Sequence, residues 1–155
     1  MNYRSLSAFL ILLSFSLTGY SASAGNGTEI DRATAAAKAA MDEFMLGFNA
    51  RDPQAWAASL NYPHVRFASG TVTVWESAEE FAKTKAFEVL PGTGWDHSHW
   101  LTRTVTLASV DKVHISTVFQ RFNAKNEIIG TYESLYIVTK RDGHWGTQAR
   151  SSLAP

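Results

Sequence analysis

Glu133 has the most chemical potential of any residue in this sequence: it is a carboxylate set among apolar neighbours in a strand-like run over residues 128–140. Apolar surroundings raise a carboxylate's pKa and a nearby cation lowers it, so such a group suits general acid or base work. Strand register supplies its neighbours. If Asn123 pairs with Glu127 and Lys140 with His144, then Arg103, Thr117, Glu133 and Ser151 form one row across four strands. Leaving such groups buried and unpaired costs on the order of several kcal/mol each. The row must pair within itself, meet water in a cavity, or meet a ligand. One outcome is an Arg103–Glu133 ion pair that satisfies a core. A second makes Glu133 a catalytic acid or base, with Arg103 or His99 as its electrostatic partner. The third is a binding site without catalysis.

His97 and His99 lie two apart on a strand and share a side, which is a possible metal-ligand spacing. Two imidazoles without a third ligand do not make a zinc site, so no metal is predicted. The same register sets His99 opposite Arg121, with His97 beyond it. His97, Arg121 and Thr117 are therefore candidate polar contacts for a ligand, and Phe44, Phe48 and Trp145 are candidate apolar walls. His64 and Arg66 share a face whose direction is left open. There is no cysteine, so thiol chemistry and disulfides are excluded. No serine stands in a nucleophile elbow and no glycine loop suits a phosphate, so no cofactor is expected.

Several elements must position these groups. Residues 1–24 have the form of a cleaved signal peptide: one early arginine, an apolar run over 6–17, and Ala22-Ser23-Ala24 before Gly25. The apolar run is too short to span a bilayer comfortably, so the expected product is periplasmic or secreted, with no stable anchor after processing. Residues 25–29 are expected to be a flexible leader and residues 30–152 a single domain. Fourteen basic and fourteen acidic residues balance, and no basic cluster stands out, which argues against nucleic acid as a partner.

Ile30, Ala33, Ala37, Met41, Phe44, Met45 and Phe48 recur at three- and four-residue spacing, the signature of a long amphipathic helix. Asp52 followed by Pro53 caps and starts a short second helix. Ser77 with Glu80 forms a capping box for a third, and Pro91-Gly92-Thr93-Gly94 ends it. Strands are predicted at 62–67 and 71–75, then in a meander over 97–108, 113–123, 128–140 and 144–152. Helices followed by a meander make an α+β domain, with three N-terminal helices on one face of a bent, mainly antiparallel sheet.

The segment Tyr62-Pro63-His64-Val65-Arg66-Phe67 with Gly70, the stretch from Arg121 to Gly130, and Asp142-Gly143-His144-Trp145 through Arg150-Ser151-Ser152 resemble the nuclear-transport-factor-2-like superfamily, in particular its SnoaL-like members. The resemblance covers about residues 30–152. It implies a cone-shaped fold in which a curved sheet wraps a long helix around an internal pocket. It also implies homodimers through the outer sheet face, where the register sets Val118, Phe122, Tyr132, Tyr136 and Val138. The superfamily holds isomerases, dehydratases, cyclases, epoxide hydrolases and transport adaptors, so fold does not select an activity. Three functions remain in play. One is an exported protein binding a small apolar molecule in the cone. Another is an isomerase, dehydratase or cyclase using Glu133 or His99. The last is a non-catalytic dimeric interaction module.

Overall fold

The computed structural model describes residues 27–68 and 70–154. The signal-peptide segment 1–24 lies outside the described residues, as do the first two residues of the expected leader. Helix α1 spans Gly27–Asn49, so the rest of that leader is helical. Its buried side is Ala33, Ala37, Ala40, Met41, Phe44, Met45 and Gly47, which keeps the middle of the predicted stripe while Ile30 and Phe48 are only half-buried. Asn49 ties the helix end to the sheet: its side chain donates to the Ser98 carbonyl and accepts from the Ser98 amide, both at 2.9 Å.

Helix α2 (Pro53–Ala58) starts as expected, with the Asp52 carboxylate accepting from the Gln54 and Ala55 amides. It crosses α1 at Gly47, where an added Cβ would lie 2.7 Å from the Trp56 nitrogen, so only glycine permits this approach. The predicted third helix is instead two short ones, α3 (Ala78–Phe81) and α4 (Ala86–Val89), followed by a 3-10 turn over Leu90–Thr93. The Ser77 hydroxyl caps α3 through the Glu80 amide. Its apolar residues are too sparse to hold a longer helix on the core, and only Phe81 is fully buried.

The six strands are β1 (Leu60–Ala68), β2 (Thr71–Trp75), β3 (His97–Ala108), β4 (Lys112–Phe122), β5 (Ile128–Arg141) and β6 (His144–Ser152). They form one sheet in the order β2-β1-β6-β5-β4-β3. All neighbours are antiparallel except β1 and β6, which run parallel. The mixed α+β sheet wrapped on a helix is the architecture expected. The core lies between α1 and the inner sheet face, with Val113, Ile115, Tyr136 and Val138 packed against Met41 and Phe44.

The register departs from expectation at single extra residues. Asn123 does close against Glu127, with Asn126 at positive φ. Then Phe122 pairs with Ile128 but Arg121 pairs with Gly130, leaving Ile129 as a bulge. From there β5 is turned over: Ser134, Tyr136 and Val138 face inward, while Glu133 and Leu135 face out. The β5–β6 turn is also one residue tighter, with Arg141 opposite His144 across Asp142-Gly143, both at positive φ. Such a two-residue turn matches the natural strand twist. A bulge at Leu101 likewise turns Trp100 inward, so Ser98 and not His99 stands opposite Arg121. The polar row across the sheet is therefore Arg103, Thr117, Ser134 and Ser152, one residue on from the expected row in the last two strands.

Candidate functional site

Between α1 and the sheet is a cavity of about 240 Å³, walled by Phe44, Phe48, Trp56, Trp75, Phe81 and Phe119. Phe44 and Phe48 come from the large end of α1. Trp56 is held edge-on to Phe44 at 5.5 Å and to Phe81 at 4.8 Å. Helix α4 and the residues before it add Thr84, Ala86 and Val89 to the lining.

The sheet supplies the polar part. Arg66, Arg121 and Arg150 line this cavity together with Tyr136, and its lining contains no carboxylate, imidazole, lysine or thiol. Arg66 on β1 is the direct register partner of Arg150 on β6, which in turn pairs with Tyr136 on β5. Arg121 is only 8% exposed. None of the three is in an ion pair among the described residues. Two of them rest on aromatic faces instead. The Arg150 guanidinium lies 5.3 Å from the Phe44 ring and 5.5 Å from Trp56, and that of Arg121 lies 5.1 Å from Tyr132. The Nε of each is buried without a hydrogen-bond partner.

Electrostatics follow from this crowding. Burial pushes the Arg66 and Arg121 guanidiniums down from their ordinary range, and the charge of Arg150 adds to it in both. Burial pushes the Tyr136 phenol up, opposed by Arg150, Arg66 and Arg121. Arginine stays protonated and this phenol stays neutral near pH 7. Behind Trp75 and Phe81 lies His64, fully buried, its ring 5.7 Å from Trp75 and 5.6 Å from Phe81. Its Nδ1 faces the Thr147 carbonyl at 3.0 Å and so carries the proton, which leaves Nε2 bare and unpartnered. Burial first, then the Arg150 and Arg66 charges, bring its pKa down to about 3.

Of the residues expected at the site, Arg121, Phe44 and Phe48 line the cavity. Thr117 faces inward but is sealed in the core, where it donates to the Ser134 carbonyl. Glu133 is on the outer face, because the Ile129 bulge reverses its strand, so it neither pairs with Arg103 nor reaches the cone. Arg103 instead donates to the Lys38 carbonyl at 3.0 Å and to the Asp42 carboxylate at 2.6 Å, both on α1. His97 and His99 point outward around Phe122, and His97 contacts Asp96. No group of three metal-ligating side chains exists among the described residues. Trp145 packs beside α1 over shallow depressions with Ala33, Ala36 and Ala40, away from the cavity. The expected outer face loses Tyr132, Tyr136 and Val138 to the interior, where Tyr132 packs on Arg121 and Phe119.

Sequence reasoning set Arg150 and Tyr136 on the opposite sheet face and left the direction of Arg66 open, whereas all three line the cavity. One signal was available. Gly130 within a strand marks a bulge or a close approach, and here the Tyr132 side chain lies across it, its hydroxyl 2.3 Å from where a Cβ would be.

A cone of sheet around a helix with an interior cavity invites comparison. Residues 31–150 match the family model described as NTF2-like protein (DUF6841). The chain belongs to that family. The match names the NTF2-like superfamily without the SnoaL-like subdivision. No curated protein matches. Among solved structures, this NTF2-like chain is similar to a Nostoc punctiforme domain of unknown function with a cystatin-like fold, at 17% identity and TM-score 0.63, over 80% of this chain and 78% of that one. An NTF-2-like protein of unknown function from Shewanella oneidensis matches at 13% identity and TM-score 0.63, over 78% and 98%. A ketosteroid isomerase-like protein from Erwinia carotovora atroseptica matches at 22% identity and TM-score 0.57, over 78% and 96%. These likenesses establish the fold.

Proposed function

We propose that this NTF2-like protein captures a small molecule with a flat, apolar body in its cone and does not transform it. The observation that carries this is the 240 Å³ aromatic cavity, whose titratable lining consists of three arginines and one buried tyrosine. None of these exchanges a proton readily near neutral pH, so general acid–base chemistry has no agent there. For scale, a dry cavity of about 150 Å³ holds a benzene ring. The site is therefore suited to a ligand of one to two rings. The test is titration with a neutral bicyclic probe, 2-acetylnaphthalene, followed by tryptophan emission, since Trp56 and Trp75 form walls. Saturable quenching that disappears in the cavity-filling variant Ala86→Trp supports capture. No quenching, or quenching that the filled variant retains, sinks it.

The location proposed is the periplasm or the exterior, from the signal-like residues 1–24. A second copy of the chain is the proposed partner, docking on the outer sheet face, where Leu101 is 57% and Leu135 39% exposed beside Val118 and Phe122. Light scattering should then give twice the chain mass, and Leu135→Glu should halve it.

A further inference from the structure

Among the described residues, the cavity gathers three positive charges and no negative one. Arg66 and Arg150 are side by side on paired strands, a placement that costs stability when like charges face each other. A protein without a use for it would supply a carboxylate, as this chain does for Arg103 with Asp42 and for Arg51 with Asp96. Here each guanidinium instead lies with its Nε buried and unpartnered, and Arg121 is more than nine-tenths buried. Buried donors left unmade are expensive, and buried charges are normally paired. No counter-charge for them exists among the described residues.

We infer that the occupant of the cone is an organic carboxylate. Its carboxylate is held by Arg66, Arg121 and Arg150, and its flat apolar body lies against Phe44, Phe48 and Trp56. This rests on the capture function proposed above and names the class of molecule captured. Guanidinium groups match a carboxylate with two parallel hydrogen bonds, and such charge-assisted bonds are about twice as strong as neutral ones. They match phosphate equally well. The walls decide between the two, because six aromatic rings around the cavity reward an apolar body and offer a small, fully hydrated anion nothing. Tyr136, the register partner of Arg150 and kept neutral by burial, remains a hydroxyl that can donate to the same oxygen atoms.

The test compares 2-naphthoate with neutral 2-acetylnaphthalene and with inorganic phosphate, by calorimetry on the wild-type protein. Naphthoate should bind at least about tenfold more tightly than the ketone, the scale of one charge-assisted pair. Arg121→Met and Arg150→Met should each abolish that preference for the acid over the ketone, and Arg121→Lys should keep part of it. The wild-type comparison needs no variant, so misfolding of a substituted protein does not remove the test. Equal affinity for acid and ketone overturns the carboxylate assignment and leaves capture of an apolar body intact. Binding of neither overturns both. Displacement of naphthoate by equimolar phosphate overturns the assignment in favour of an inorganic oxyanion. A preference for the acid that survives in all of Arg66→Met, Arg121→Met and Arg150→Met overturns the arginine site.

Discussion

His64 should make this protein sensitive to mild acid. Its folded-state pKa is about 3, against 6.5 for an unperturbed imidazole, because burial and the charges of Arg150 and Arg66 disfavour the imidazolium. A depressed histidine means that the unfolded chain takes up the proton first. Stability contributed by neutral His64 is complete above pH 6.5 and is lost as pH falls from there toward 3. At about pH 5 the unfolded chain is protonated at this site by roughly thirty to one while the native state is not, which removes about 2 kcal/mol. That is a large fraction of the ~5–15 kcal/mol that holds a domain of this size. Urea denaturation followed by tryptophan emission, at pH values from about 7.5 to 5, would measure it. His64→Gln preserves a donor to the Thr147 carbonyl and removes the titration. Carboxylates titrate in both proteins alike, so the difference between the two pH profiles isolates His64. Profiles that run parallel across this window would refute the reasoning. Arg150→Met should narrow the gap, since it removes the second cause of the shift.

Glu133→Gln should change neither ligand affinity nor, beyond about 0.5 kcal/mol, stability, because the side chain is on the outer face. Loss of binding in the same titration would contradict the register of β5. Gly47→Ala should destabilise the fold by about 1–3 kcal/mol of overpacking, less the ~0.5–1 kcal/mol that alanine contributes to a helix. Its Cβ would meet the backbone of Ala55 and Trp56, so a red-shifted tryptophan emission should accompany the loss.

Local chemistry in this chain was legible and phase was not. Asp52-Pro53, Ser77 with Glu80, and the α1 stripe each announce their element through a cap or a period, and the structure has those features. Two short helices replaced one because Phe81 alone anchors that segment. The strands were found within two residues at each end. Their faces were not, because a bulge adds one residue without altering composition, and one residue reverses every side chain beyond it. Ile129 thus put Ser134 where Glu133 was expected, and Leu101 put Ser98 where His99 was expected. The arginine pair was hidden for another reason: Arg66 and Arg150 meet through a parallel pairing between the first and last strands, which no turn connects. Arg121 was recognised because β4 carries no bulge between it and the core residues Val113 and Ile115.

The pairing of β1 with β6 also governs when binding competence arises. Arg66 lies on the first strand of the sheet and Arg150 on the sixth, yet they are register partners. During synthesis the helices and the first hairpin can form while the cone still has a missing stave. Only when the final strand inserts between β1 and β5 does the positive cluster come into being. Contacts this distant in sequence form slowly, since the whole intervening loop must be closed. A bound anion would therefore act as a latch on the finished sheet, holding the last strand in place and giving no help to the chain on its way there.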